Sequence, residues 1–262
     1  MAANPTPTGE RRSDFVQSLQ RGLSVIRAFR GERQELTLSE VARATGLSRA
    51  AARRFLLTLV ELGYVHASDG RFTLGPRVLD LGYAYLSSLG VLETVEPHLD
   101  VLGRRTGESC SVSVLDDTEI VYLTPSRRAI SVTRPVGSRL PSHATAMGRV
   151  LLAALPDREL EERVSRMVLE PLTVRTVTDR HRLVEIVRSV RARGYAVVEE
   201  ELEEGLVAAA VPVRVPWRAV VAAINIAGRV SPGVLEHELL PLLKETAAAI
   251  ERDLRAVYRA DG

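Results

Sequence analysis

A polar, arginine-rich face in residues 49–62 is the first feature whose residue types could do chemistry. At about 100° per residue, Arg49, Arg53 and Arg54 fall within an arc of about 140°, opposite the apolar side chains. Arginine presents a planar fork of donors that matches guanine O6 and N7 and the oxygens of phosphate. Such a face can also serve only to solvate a surface, so the neighbouring elements must decide between these interpretations.

Two helical segments precede this helix. In the first, apolar residues recur at helical spacing over residues 16–29. In the second, Thr37 and Glu40 have the spacing of a capping box, and Gly46 ends the helix. Ser48 is a suitable N-cap for the third helix, so a tight turn is predicted between the second and third helices.

A β-hairpin is predicted after the third helix, with strands at 64–67 and 71–74 around a Ser-Asp-Gly turn. This order of elements indicates a winged helix-turn-helix whose third helix enters the major groove of double-stranded DNA. The candidate DNA contacts are Gln17, Arg21, Thr37, Ser48, Arg49, Ala50, Arg53, Arg54 and Arg71.

The second part of the chain has the pattern of an α+β domain on an antiparallel sheet. In ESCSVSVL, Cys110, Val112 and Val114 alternate with serines, and EIVYL follows as the returning strand. Another strand is predicted at 130–134, and three more in YAVVEEE, LVAAAVPV and AVVAAINIA. The predicted helices cover residues 92–105, 144–155, 157–167, 180–193 and 234–258, the last with a possible kink at Pro241.

Composition excludes several classes of protein and of site. The longest apolar runs are far shorter than the roughly 20 residues of a membrane span, and residues 1–15 do not form a secretory signal, so we expect a cytoplasmic protein. Five histidines lack metal-ligand spacing, and Cys110 is expected in the core. Without a phosphate-binding loop or GxSxG motif, we expect no catalytic residues, no metal and no cofactor.

Charge divides the chain unevenly. Residues 1–86 hold 12 arginines against 8 acidic residues, whereas the remainder holds 23 basic against 25 acidic residues. A basic first part and a slightly acidic second part indicate two modules with different partners, although a difference of this size also arises by chance.

Longer stretches of the sequence resemble one known family. LTLSEVARATGLSRAAARRFLLTLVELGYV followed by GRFTLGPRVLDLG resembles the winged-helix domain of the IclR family of bacterial transcription regulators. LPSHATAMGRVLLAALP and RARGYAVVEEELEEG resemble the signatures of its C-terminal effector-binding domain. SRAAARRFLLTL and RLPSHATAMGRVLLA are most similar to the Pca and Pob subgroup, which controls the catabolism of aromatic acids.

The resemblance implies a regulator that acts as a homodimer or a dimer of dimers, with a GAF-like domain that binds a small organic acid. It implies a winged helix-turn-helix (13–76), a linker helix (77–91) and an effector-binding domain (92–262), after residues 1–12, whose Pro/Thr/Arg-rich composition predicts a disordered tail. By position, Arg54 matches the recognition-helix arginine, Glu201 the signature glutamate and residues 143–147 the effector pocket. The candidate effector contacts are Val114, Tyr122, Arg134, His143, Ala144, Thr145, Met147, Glu201 and Asn225.

The sequence departs from the family pattern where polar groups often hold the ligand. Val198, Ala208 and Ala227 stand at such positions. Three interpretations follow: the ligand is larger and more apolar, its carboxylate is held elsewhere, by Arg134 or Asn225, or the effector differs from the aromatic and dicarboxylic acids that the subgroup usually binds. A second function also stays open, a metabolite sensor or enzyme that uses the winged helix only to bind another protein.

Overall fold

The structure, a computed structural model, describes residues 14–29, 35–89, 91–125, 134–215 and 218–260. The chain forms two compact units that divide between Tyr85 and Leu86. None of the described helices is long and apolar enough to cross a lipid bilayer. The predicted α+β class is confirmed, since a helix-turn-helix precedes a domain in which helices pack on an antiparallel sheet.

Helices pack with a three-stranded antiparallel sheet around one apolar core in the first unit. Its elements are α1 (Gln17–Arg27), β1 (Glu35–Thr37), α2 (Leu38–Thr45), α3 (Arg49–Glu61), β2 (Val65–Ser68) and β3 (Arg71–Leu74), and α4 (Val78–Leu89) follows. The strand order is β1-β3-β2. The sequence does not predict β1, because three residues are too few to show an alternating pattern.

Local hydrogen bonds explain the helix boundaries in this unit. The hydroxyl of Thr37 accepts the N–H of Glu40, whose carboxylate accepts the N–H of Thr37 at 2.9 Å, so the predicted capping box is confirmed. Gly46 ends α2 with φ +67°, a conformation that costs glycine little. The hydroxyl of Ser48 accepts the N–H of Ala51, which confirms Ser48 as the N-cap of α3.

A six-stranded antiparallel sheet of order β6-β5-β4-β9-β8-β7 forms the second unit's framework. The strands are β4 (Ser109–Asp116), β5 (Glu119–Tyr122), β6 (Arg139–Pro141), β7 (Ala196–Glu199), β8 (Val207–Val215) and β9 (Arg218–Gly228). The helices are α5 (Leu92–Thr106), α6 (Ala146–Ala153), α7 (Asp157–Arg166), α8 (Arg180–Arg193), α9 (Pro232–Val234) and α10 (Leu240–Ala260).

Each face of this sheet is covered by a different group of helices. Val112 belongs to a core with residues of α5 and α10, such as Leu99 and Leu243. Tyr122 and Met147 belong to a second core with residues of α6, α7 and α8. Because side chains alternate along a strand, each central strand contributes to both cores.

Three predicted elements differ from the structure in their bounds. The helix predicted from residue 144 begins at Ala146, after a 3₁₀ turn at Ser142–Ala144. The single helix predicted for 234–258 is divided by a π-helical turn at Leu235–Leu239, and α10 begins next to Pro241, which has no N–H to donate to a preceding turn. Of the strand predicted at 130–134, residues 130–133 lie outside the described residues.

Close packing at Gly148 generates a stability prediction. A Cβ on Gly148 would meet the Ser142 backbone and lie 2.6 Å from the Thr145 hydroxyl oxygen. We expect Gly148→Ala to destabilise the second unit by about 3 kcal/mol, as overpacking does, in urea-unfolding measurements. The matched control is Gly103→Ala in α5, where the nearest atom is 3.6 Å away and helix propensity improves. Equal urea-unfolding midpoints for the two variants would show that close packing at Gly148 does not exclude a Cβ atom.

Candidate DNA interface and effector cavity

The arginine-rich face of α3 is exposed. The helix buries Ala52, Leu56 and Leu59 in the core of the first unit. Arg49, Ala50, Arg53 and Arg54 lie exposed on the remaining surface, as does the N-cap Ser48. Within the described part of the chain, none of these arginines has an ion-pair partner. Unpaired guanidinium groups are suited to contact phosphates and base edges.

The other predicted DNA contacts lie in three places. Gln17 and Arg21 of α1 line a groove together with Arg54 of α3, so two guanidinium groups border one concave surface. Arg71 is exposed at the start of β3, next to the hairpin turn. The hydroxyl of Thr37 is engaged by the carboxylate of Glu40 at 2.9 Å, which leaves this side chain a structural role in α2.

A small cavity of about 70 Å³ lies in the second unit, on the α6 side of the sheet. Its floor follows one row of the sheet, where Ser109 pairs with Ala227, Ala227 with Ala208, and Ala208 with Val198. Small side chains in this row leave the space open. The lining residues are Ser109, Ser111, Tyr122, Arg134, Ala144, Thr145, Ala146, Met147, Val198, Leu202, Glu203, Leu206, Ala208, Asn225 and Ala227.

Several hydrogen-bond donors face this floor. The side-chain oxygen of Asn225 accepts the N–H of Ser111 at 3.1 Å, so its amide nitrogen is left for another partner. Burial raises the pKa of the Tyr122 phenol, against the opposing charge of Arg134. The phenol therefore stays protonated and can donate a hydrogen bond beside the Arg134 guanidinium. Such donors suit a carboxylate.

Strand alternation explains which predicted effector contacts the structure brings together. Tyr122, Arg134, Ala144, Thr145, Met147 and Asn225 all line the cavity. Val114 lies outside the lining, in the core formed with α5 and α10, because alternation directs it to the opposite face from Ser109 and Ser111. The sequence does not identify these two serines, because alternation groups them opposite Val114 but does not show which face lines the cavity.

His143 and Glu201 also lie outside the lining and instead take part in a buried polar network with Arg149. A guanidinium N–H of Arg149 donates to Glu201 Oε2 at 2.6 Å, and Arg149 Nε donates to the backbone oxygen of His143 at 3.0 Å. The two charged side chains are 3% and 9% exposed. Glu201 Oε2 also accepts the N–H of Val177 at 2.9 Å. The sequence does not predict a role for Arg149, because its ion-pair partner Glu201 is distant in the sequence.

No metal site or reactive thiol stands out in the described part of the chain. It contains no group of three His, Cys, Asp or Glu side chains arranged to hold a metal ion. Cys110 is buried in the α5 and α10 core, as predicted. Burial raises the pKa of its thiol to about 12, so it stays protonated and is a poor nucleophile.

The environment of His143 predicts a pH dependence of stability. Burial lowers its pKa, and the charge of Arg149 acts in the same direction, although a bond to the Glu170 carbonyl opposes them. As pH falls below about 6.5, the unfolded chain binds a proton that the folded unit does not, so stability decreases. We expect His143→Gln to lose less stability than wild type between pH 7.5 and 5.5 in urea titrations.

The control for this measurement is His181→Gln, since His181 is exposed on α8. This control should lose as much stability as the wild type over the same pH interval. If His143→Gln also loses as much stability as the wild type, burial of His143 does not cause the effect.

Comparisons with known proteins show which family both parts of the chain resemble. The IclR helix-turn-helix domain matches residues 18–69, and the C-terminal domain of bacterial IclR regulators matches residues 83–252. The Pca regulon regulatory protein of Pseudomonas putida is 42% identical, over 92% of this chain and 84% of its own. The p-hydroxybenzoate hydroxylase transcriptional activator of Acinetobacter baylyi is 39% identical, over 94% of each chain.

A solved structure is also similar to this chain over nearly its whole length. It is an IclR homologue from Microbacterium hydrocarbonoxydans complexed with 4-hydroxybenzoate, with 28% identity and a TM-score of 0.82, covering 92% of this chain and 100% of that one. These relatives are regulators and not enzymes, and they include the predicted Pca and Pob subgroup. The chain therefore belongs to the IclR family of bacterial transcriptional regulators.

Proposed function

We propose that this protein controls genes of aromatic-acid catabolism by binding a small aromatic acid and a pseudo-palindromic operator. In this proposal residues 13–76 bind DNA, residues 77–91 form a linker helix, and residues 92–262 bind the effector. The protein acts in the cytoplasm as a homodimer or a dimer of dimers. The observation that carries the proposal is the cavity, in which Arg134 and Tyr122 lie above a floor of small side chains.

The cavity chemistry favours a single-ring acid. A flat row of alanine, valine and serine side chains suits the face of an aromatic ring, and Met147 adds a polarisable wall. Arg134, Tyr122 and Asn225 supply donors for the carboxylate, and the N-terminus of α6 adds a favourable dipole. In its favour, a related structure contains 4-hydroxybenzoate.

Carboxylate recognition by Arg134 can be tested by calorimetry. We expect Arg134→Gln to bind 4-hydroxybenzoate at least about tenfold more weakly, because a hydrogen bond to a charged group contributes about 1.5–3 kcal/mol. The uncharged 4-hydroxybenzamide should bind both proteins weakly and equally. Arg139→Gln is the control, since Arg139 pairs with Glu119 outside the cavity. An unchanged affinity in Arg134→Gln would refute the assignment.

DNA recognition by α3 can be tested by fluorescence anisotropy on the upstream intergenic DNA at two salt concentrations. We expect Arg53→Ala and Arg54→Ala each to weaken operator binding by about 1–3 kcal/mol if the side chain reads a base. A residue that contacts only phosphate should weaken binding to all sequences and reduce the salt dependence.

Arg158→Ala serves as the matched control because Arg158 is exposed on α7, in the other unit. Wild-type affinity in both α3 variants would show that α3 is not the recognition helix. Binding that is independent of salt would favour a winged helix that contacts another protein.

A further inference from the structure

We propose that Arg149 and Glu201 are positioning residues for the effector, whose buried ion pair fixes the spacing between the two walls of the cavity. The inference rests on the proposed function of the cavity. Neither residue lines the cavity, so each acts on a ligand only through the walls that it holds.

Both walls lie immediately beside the ion pair. The first wall is the turn and helix start at residues 144–147, and Arg149 follows it on α6. The second wall is the loop between β7 and β8, where Leu202 and Leu206 line the cavity and Glu201 precedes them. The 2.6 Å bond from Arg149 to Glu201 therefore links the segment that follows the first wall to the residue that precedes the second.

Hydrogen bonds extend this connection to a third segment. The hydroxyl of Thr176 donates to the backbone oxygen of Glu201 at 2.6 Å, and the hydroxyl of Thr173 donates to that of Glu200 at 2.6 Å. Glu200 has φ +55°, which is unfavourable for a residue with a Cβ. The loop is thus held in a conformation that its own sequence does not favour, so it depends on these contacts.

Stability alone is a poor explanation for a charged pair at this depth. Desolvation of two buried charges offsets much of their attraction, and apolar residues of similar volume often give equal or higher stability. An ion pair with further hydrogen bonds to His143 and Val177 does fix direction and distance, which apolar contacts do not. The observed arrangement is therefore better suited to setting geometry than to adding stability.

The test separates geometry from stability with the double variant Arg149→Met/Glu201→Leu. We expect its urea midpoint to stay near that of the wild type, while its Kd for 4-hydroxybenzoate rises at least about tenfold. Glu201→Gln keeps an acceptor oxygen for Arg149 and Val177 but leaves the buried guanidinium without a counter-charge. We therefore expect its urea midpoint to fall, while the Kd of the folded protein stays within about threefold of wild type. The control, Glu185→Gln, breaks an exposed pair with Arg182 on α8 and should change neither quantity.

Wild-type affinity in the double variant would overturn the proposal, because the pair would then be merely structural. An affinity loss in Glu201→Gln as large as in the double variant would also overturn it, since charge and not spacing would then be responsible. If the wild type itself does not bind 4-hydroxybenzoate, the proposed effector fails, and a measurement without ligand decides this inference.

That measurement is amide hydrogen exchange of the two full-length proteins. The N–H of Val177 bonds to Glu201, and the N–H of Glu200 bonds to the oxygen of Leu206. We expect both amides to exchange faster in the double variant, with α8 unchanged. Unchanged protection of these two amides would show that the pair does not hold the walls.

Discussion

The alternation of side chains along β4 is the constraint on which the second unit depends. Cys110 and Val112 face α5 and α10, where they complete an apolar core, whereas Ser109 and Ser111 face the α6 side and border the cavity. The side chains of β4 therefore contribute to an apolar core on one face and to the polar lining of the cavity on the other. A shift of its register by one residue would exchange the two sets and would place valines in the site and serines in the core.

Small residues in one row keep the cavity open, and polar contacts hold its walls at a fixed spacing. Ala208 and Ala227 provide no side chain long enough to fill the space above the sheet. Gly148 allows α6 to approach the turn that carries His143, while Arg149 reaches across to Glu201. Packing on one side and a directional ion pair on the other therefore define a cavity that apolar packing alone would tend to close.

Features that depend on residues close together in the sequence could be predicted, whereas contacts between residues far apart in the sequence could not. The capping box of Thr37, the turn at Gly46 and the exposed face of α3 follow from spacings within a few residues. The place of Val114 depends on the direction of alternation relative to the helices, which the sequence does not contain. Arg149 and Glu201 are 52 positions apart in the sequence, so the motif that identified Glu201 did not indicate its ion-pair partner.

A small acid can shift a regulator between two states only by the difference in its affinity for them. In this protein, that difference depends on how well the residues lining the cavity fit the effector in each state. The network of Arg149, Glu201 and Val177 consists of hydrogen bonds with a defined direction and distance between segments that border the cavity. We therefore expect the effector to favour the state in which these bonds are formed, since their loss would change the spacing of the walls that contact it.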